Sequence, residues 1–103
     1  MDAPVKELGR VEELLTQGRT LLEAGRFAEA IAAADEALGI EPTYLRILTL
    51  KADASERLGD QDTAERLRMQ VRQIRREAWQ RQVEAEIRGH HDMMGEAIRH
   101  EHL

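Results

Sequence analysis

The sequence predicts an all-α protein, and three observations support this fold class. Leu, Ala, Ile and Val supply most of the apolar content of the 103 residues, while Arg and Glu dominate the polar content. This composition is typical of helices that pack on helices. Apolar residues recur at spacings of three and four, which is the period of an α-helix. No segment shows the alternation of β-branched and polar residues that is typical of strands.

A first helix is expected to begin at Asp2, which can cap it, with Pro4 in the first turn, where a missing N–H costs nothing. Gly25 is expected to end this helix in a tight reversal. Gly18 offers a small contact surface for a neighbouring helix, and Gly9 predicts a break or a frayed end. The apolar residues before the reversal recur at helical spacing; they are Val5, Leu8, Val11, Leu14, Leu15, Leu21 and Leu22.

A second helix is predicted over residues 27–38, and it carries the clearest packing signal. Ala30, Ala34 and Ala37 lie three and four residues apart, so they share one face of this helix. Because their side chains are small, another helix can approach this face closely. Pro42 follows shortly after the helix end, where it prevents the helix from continuing.

A third helix is expected to begin with Thr43 as its cap and to end near Gly59, which follows Gly25 by 34 residues. In this register Ala64 matches Ala30, so the two-helix unit is repeated. The second copy is less faithful than the first at three positions: Gln61 in place of Phe27, Arg68 in place of Ala34, and Arg76 in place of Pro42.

This unit of two closely packed antiparallel helices over about 34 residues resembles a tetratricopeptide repeat. The resemblance covers residues 11–44 well and residues 45–78 in outline. It implies two stacked antiparallel helical hairpins in a repeat domain of residues 1–78, followed by a helical, His-containing extension of residues 79–103. It also implies a non-enzymatic scaffold or adaptor that binds another protein.

The fourth helix lacks a counterpart of Pro42, so we expect it to continue to about Gly89, over roughly 28 residues and about 40 Å. Residues 90–103 are predicted as a short helix or a continuation. Two interpretations of this long helix remain open. It is either an extended cap of the repeats or an interface for a partner or a second copy, formed by Trp79, Val83, Ile87, Met94 and Ile98.

In the tetratricopeptide family the first helix of each pair lines a concave groove that holds a peptide. By position, the resemblance places Glu12, Leu15, Arg19, Leu22 and Glu23 from the first repeat in this groove, and Arg46, Thr49, Asp53, Glu56 and Arg57 from the second. Leu15 and Arg19 stand where members that clamp acidic chaperone tails have Lys and Asn, which argues against that role. The groove arginines either hold a partner carboxylate or pair with neighbours such as Glu23 and Asp53.

Charge and histidine patterns raise two other kinds of partner. Residues 63–81 contain six arginines and two acids, whereas residues 82–103 contain five acids and two bases. The net charge of −5 and the absence of a base-reading motif argue against nucleic acid. Asp92, Glu96 and His100 would share a helix face that could bind a divalent metal. The alternatives are a solvated polar tail and a pH-sensitive contact.

No catalytic constellation is present in the sequence. Ser55 is the single serine and has no histidine near it in sequence, and no glycine cluster forms a phosphate-binding loop. We therefore expect neither an enzyme nor a cofactor. The N-terminal residues 1–7 lack the apolar core of a secretory signal, and no apolar run is long enough to cross a bilayer, so we expect a soluble, cytoplasmic protein. The absence of cysteine excludes disulfides and leaves the redox compartment open.

Overall fold

The structure is a computed structural model that describes the backbone of residues 5–101 and the side chains of residues 5–89. This part of the chain is helical and contains no strand. It forms four helices: α1 (Val5–Glu23), α2 (Phe27–Ile40), α3 (Leu45–Leu58) and α4 (Gln61–Glu101). The predicted all-α class of stacked helical hairpins is confirmed.

The chain divides into two compact units, Met1–Arg72 and Gln73–Leu103. The boundary between them falls inside α4, which continues from one unit to the next. The first unit contains α1, α2, α3 and the first turns of α4.

Within the first unit, α2 packs against both α1 and α3. Ala30, Ala34 and Ala37 of α2 are each completely buried, as the small-residue face predicts. Because an alanine side chain ends at Cβ, the neighbouring helices can approach α2 closely. The central cluster of buried apolar residues comprises Val11, Leu14, Leu15, Ala33, Ala34, Ala37, Ile47 and Leu50.

Two glycines of α1 have opposite environments. A Cβ added at Gly18 would overlap Leu50 Cδ2 and would lie 3.8 Å from the carbonyl oxygen of Ala30. The predicted packing role of Gly18 is therefore confirmed. Gly9 has no atom within 4 Å of such a Cβ and lies inside the continuous helix α1. The predicted break or frayed end at Gly9 is wrong.

The same turn closes both hairpins, 34 residues apart. Gly25 has φ 78° and Gly59 has φ 97°, the left-handed region that glycine adopts without steric cost. At the first turn, the N–H of Gly25 donates to the Leu22 carbonyl (3.0 Å) and the N–H of Arg26 donates to the Leu21 carbonyl (2.8 Å). These are the two bonds of a Schellman motif.

At the second turn, the N–H of Gly59 donates to the Glu56 carbonyl (3.0 Å) and the N–H of Asp60 to the Ser55 carbonyl (2.9 Å). Each of these four residues is 34 positions after its counterpart at the first turn. The repeat that the sequence predicts is therefore present in the backbone hydrogen bonds as well as in the residue pattern.

Two helix ends differ from the predictions. The helix α3 is preceded by Tyr44 in extended conformation (φ −71°, ψ 106°), with no side-chain cap. The prediction of Thr43 as the cap is wrong, because its hydroxyl donates instead to Glu41 Oε1 at 3.2 Å. The helix α2 ends at Ile40 rather than at Leu38. Asp2 and Pro4 lie outside the described residues.

The helix α4 spans 41 residues, or about 60 Å at the usual rise per residue. Its N-terminus is capped by Asp60, whose Oδ1 accepts from the N–H of Thr63 at 3.2 Å. Hydrogen bonds from the Thr63 side chain and backbone lower the pKa of the Asp60 carboxyl group. The helix passes through Arg76, as predicted, and continues through Gly89, which does not end it.

Candidate functional site

The sequence places its candidate groove on α1 and α3, and the structure exposes nearly all of these side chains. We call this surface the α1–α3 face; it comprises Glu12, Arg19, Leu22 and Glu23 of α1 and Arg46, Thr49, Asp53, Glu56 and Arg57 of α3, all exposed or half-buried. Leu15 is different, because it is only 2% exposed and belongs to the central apolar cluster. It supports the face from beneath and is not available to a partner.

A cluster of three side chains joins the two helices at one end of the α1–α3 face. The Tyr44 hydroxyl donates to Glu12 Oε1, and Arg46 Nη2 forms an ion pair with the same oxygen. Arg46 Nη2 also contacts the Tyr44 hydroxyl at 2.8 Å, and its guanidinium carbon lies 5.6 Å from the centroid of the Tyr44 ring. The Tyr44 hydroxyl and the Glu12 carboxylate raise the pKa of Arg46. Arg46 is thus engaged locally.

The acids of α3 are bound by an arginine that the sequence analysis did not assign to the groove. Arg68 Nη2, from α4, lies 2.7 Å from Glu56 Oε2 and 3.2 Å from Asp53 Oδ1. The hydrogen bond from Arg68, followed by its charge, lowers the pKa of Glu56. The 34-residue register already shows Arg68 in place of Ala34, and this departure is the signal that could have identified it.

The other two arginines of the α1–α3 face are arranged differently. The Arg57 guanidinium carbon lies 5.9 Å from the centroid of the Phe27 ring, at the start of α2. Arg19 is exposed and forms no ion pair with the side chains described for residues 5–89. Thr49 is exposed and donates its hydroxyl to the Leu45 carbonyl at 2.9 Å. Arg19 and Thr49 therefore lie near the middle of the face, and neither is held in an ion pair among the described side chains.

The second candidate surface lies on α4. Trp79 is 64% exposed and Ile87 is 60% exposed, while Val83 between them is half-buried. Large apolar side chains with this exposure are candidates for contact with a partner. Met94 and Ile98, the other two residues predicted for this interface, lie outside the residues whose side chains the structure describes.

The candidate metal ligands Asp92, Glu96 and His100 also lie outside the described side chains. Within residues 5–89, no group of three or more His, Asp or Glu side chains is arranged to hold a metal ion. Among the described helices, none is both long enough and apolar enough to cross a membrane.

Comparison with known proteins agrees with the geometry of the hairpins. A family model described as tetratricopeptide repeat matches residues 21–83, which is more than half of the chain. The match covers all of α2 and α3 together with parts of α1 and α4. No curated protein and no solved structure matches the chain significantly. The chain belongs to the tetratricopeptide repeat family.

Proposed function

We propose that this protein is a non-enzymatic adaptor that binds a peptide segment of another protein along the α1–α3 face. Family membership supports binding to a protein, because tetratricopeptide repeats are protein interaction modules. The observation that carries the choice of surface is the exposure of polar side chains from both α1 and α3 on one face, joined by the ion pair between Glu12 and Arg46.

The chemistry of the α1–α3 face suits a polar peptide. An extended peptide must satisfy its backbone N–H and C=O groups. The Arg19 guanidinium offers donors near the middle of the face, and the Thr49 hydroxyl oxygen, whose own hydrogen is donated to the Leu45 carbonyl, can accept from an N–H. The acids Glu12, Asp53 and Glu56 are already paired with arginines. A partner therefore gains little from placing a single charge beside these pairs, and we expect hydrogen bonding and packing to dominate recognition.

Selection from random peptides displayed on phage tests this function with the intact chain as bait. Thr49→Arg places a bulky cation in the middle of the α1–α3 face. Thr20→Arg is the matched control, because Thr20 is also exposed and its hydroxyl also donates to the carbonyl four residues before it. Peptides selected by the native chain should lose binding to Thr49→Arg and retain it with Thr20→Arg. Equal binding to both variants would contradict the assignment of the α1–α3 face.

Self-association through α4 is a second candidate function. The exposure of Trp79 and Ile87 favours it, because two repeats provide a small core and association would bury further apolar surface. Light scattering at increasing protein concentration should show a rise from monomer to dimer mass. A monomer mass over the whole concentration range would contradict self-association and would leave peptide binding at the α1–α3 face as the function.

A further inference from the structure

Four residues of α4, all within the second unit, share one face of the helix. Arg76, Trp79, Val83 and Glu86 are spaced three, four and three residues apart, the spacing of the contact positions of a coiled coil. We call them the 76–86 face. Trp79 is largely exposed, Val83 is half-buried, and the two charged residues are exposed.

The order of residues on the 76–86 face is asymmetric. The basic residue Arg76 precedes the apolar pair Trp79 and Val83, and the acidic residue Glu86 follows it. Glu86 accepts one long hydrogen bond, 3.4 Å from Gln82 Nε2. Within residues 5–89, neither Arg76 nor Glu86 forms an ion pair, so both charges are available to a partner.

Extending the second candidate function, on which this inference rests, we propose that the 76–86 face binds the same face of a second copy in antiparallel orientation. With a two-fold axis near residue 81, Trp79 of each copy packs on Val83 of the other. The same axis places Arg76 of each copy beside Glu86 of the other. One surface then supplies two apolar contacts and two ion pairs.

The charges select the antiparallel orientation. A parallel pair in register would place Arg76 beside Arg76 and Glu86 beside Glu86, and like charges at contact distance destabilise a helix pair. The sequence around the face has the same order of charge: basic residues are in excess in residues 63–81, and acidic residues are in excess in residues 82–103. A face that is complementary to itself by a two-fold rotation is the usual basis of a homodimer, which favours a second copy over an unrelated helix.

Cysteine cross-linking tests the orientation directly, because the native chain has no cysteine. Arg76→Cys and Glu86→Cys are prepared separately and then mixed under mild oxidation. The antiparallel pair predicts a covalent dimer from the mixture and little from either variant alone. Glu84→Cys replaces Glu86→Cys in the matched control and should cross-link poorly, since residue 84 lies on another side of α4. Cross-linking of each variant mainly to itself would overturn the antiparallel pair.

Sedimentation equilibrium of the full chain measures the strength of the pair. Trp79→Ala should weaken dimerisation more than about tenfold, because Trp79 supplies most of the apolar contact. Leu58→Ala, at an exposed leucine outside α4 (55%, against 64% for Trp79), should have no effect. Arg76→Glu or Glu86→Arg alone should weaken the dimer roughly threefold or more, and the two changes together should restore it. Helical content by circular dichroism confirms that each variant is folded.

The outcomes separate this inference from the functions on which it builds. A dimer that is insensitive to Arg76→Glu and Glu86→Arg would overturn the antiparallel pair while self-association stands. A monomer at every concentration would overturn both, and the peptide-binding function of the α1–α3 face would be unaffected. Restoration by the double charge reversal supports the antiparallel pair, since a parallel pair places like charges together in the native chain and in the double variant alike.

Discussion

The two hairpins, residues 11–44 and 45–78, have the same turn geometry, but at one core position of the first hairpin the second has a charged residue. Both use a glycine at positive φ in the turn and bury an alanine five residues later, Ala30 in the first and Ala64 in the second. Ala34 is then fully buried in the central cluster, whereas its counterpart Arg68 is partly exposed and binds two acids of α3. At this position α2 therefore contributes to the apolar core, whereas α4 contributes a charged side chain that is paired with α3.

Among the differences between the hairpins, the exchange of alanine and arginine at positions 34 and 68 should change the free energy of unfolding most. Ala34→Arg forces a charged side chain into a fully buried site within the central cluster of apolar residues. We expect a loss of about 3–5 kcal/mol in the free energy of unfolding. Urea denaturation followed by circular dichroism measures it. Arg68→Ala is the reciprocal control and should cost far less, because the ion pairs of Arg68 are partly solvated. Similar losses in both variants would refute the difference between the hairpins.

Placing a proline at position 76, where the second hairpin lacks a counterpart of Pro42, should have the next largest effect on helix stability. Pro42 follows the end of α2, while its counterpart Arg76 lies inside α4. Arg76→Pro removes a backbone N–H and introduces a clash, at a cost of about 3 kcal/mol in a helix interior. We expect the segment after residue 72 to lose helix, so that mean helicity falls. Arg76→Ala is the control and should keep the native circular dichroism spectrum. An unchanged spectrum in the proline variant would refute this account of the long helix.

A smaller effect is expected at the close contact between α1 and α3. Gly18→Ala places a methyl group against Leu50, and such overpacking costs about 1–3 kcal/mol. Gly9→Ala, in the same helix but in open space, should stabilise the protein by roughly 0.5–1 kcal/mol. Thermal unfolding should therefore place the two variants on opposite sides of the native melting temperature. A gain in stability for Gly18→Ala would show that Leu50 moves aside without cost.

The smallest effect concerns the caps of α2 and α4. Asp60 caps α4 through Thr63 and has a lowered pKa, whereas Arg26 precedes α2 without a side-chain cap. A carboxyl group whose pKa is lowered by folding stabilises the protein above its unfolded pKa, near 3.9. This contribution is lost as the pH falls through the lower pKa of the folded state.

Asp60→Asn should consequently flatten the dependence of stability on pH below about pH 4, measured by urea unfolding between neutral and acidic pH. Glu56, whose pKa Arg68 also lowers, contributes in the same direction and remains as background in the variant. The cap on α4 would be excluded as a source of the acid sensitivity if the native chain and Asp60→Asn gave the same pH profile.

Much of the fold could be predicted because it depends on local rules. The period of apolar residues locates the four helices, and the glycines at 25 and 59 locate the turns, since left-handed backbone is cheap for glycine alone. The wrong predictions concern residues whose local preference competes with another interaction. Gly9 has low helix propensity but lies within α1, and Thr43 is a favoured cap residue but binds Glu41 instead. Packing of the whole helix outweighs the preference of one residue.

The candidate surfaces were less predictable, because they depend on which side chains meet across helices. The family register places Leu15 in the groove, but Leu15 lies in the central cluster, since burial of its apolar side chain is favourable. The register marks Arg68 as a departure from Ala34, but the pairing of Arg68 with Asp53 and Glu56, and of Tyr44 with Glu12, depends on how α1, α3 and α4 lie in space. Each of these contacts joins residues at least 12 positions apart.

The sequence by itself therefore determined the helices, the two turns, the 34-residue repeat and the continuation of the last helix. The helices, the turns and the continuation follow from residues that are neighbours along the chain or lie one helical turn apart, and the repeat is the recurrence of such a local pattern after 34 residues. The tertiary structure decided which polar side chains of α1 and α3 are paired, which arginine neutralises the acids of α3, and that Leu15 is covered. Those outcomes depend on distances between helices, and helix periodicity carries no information about such distances.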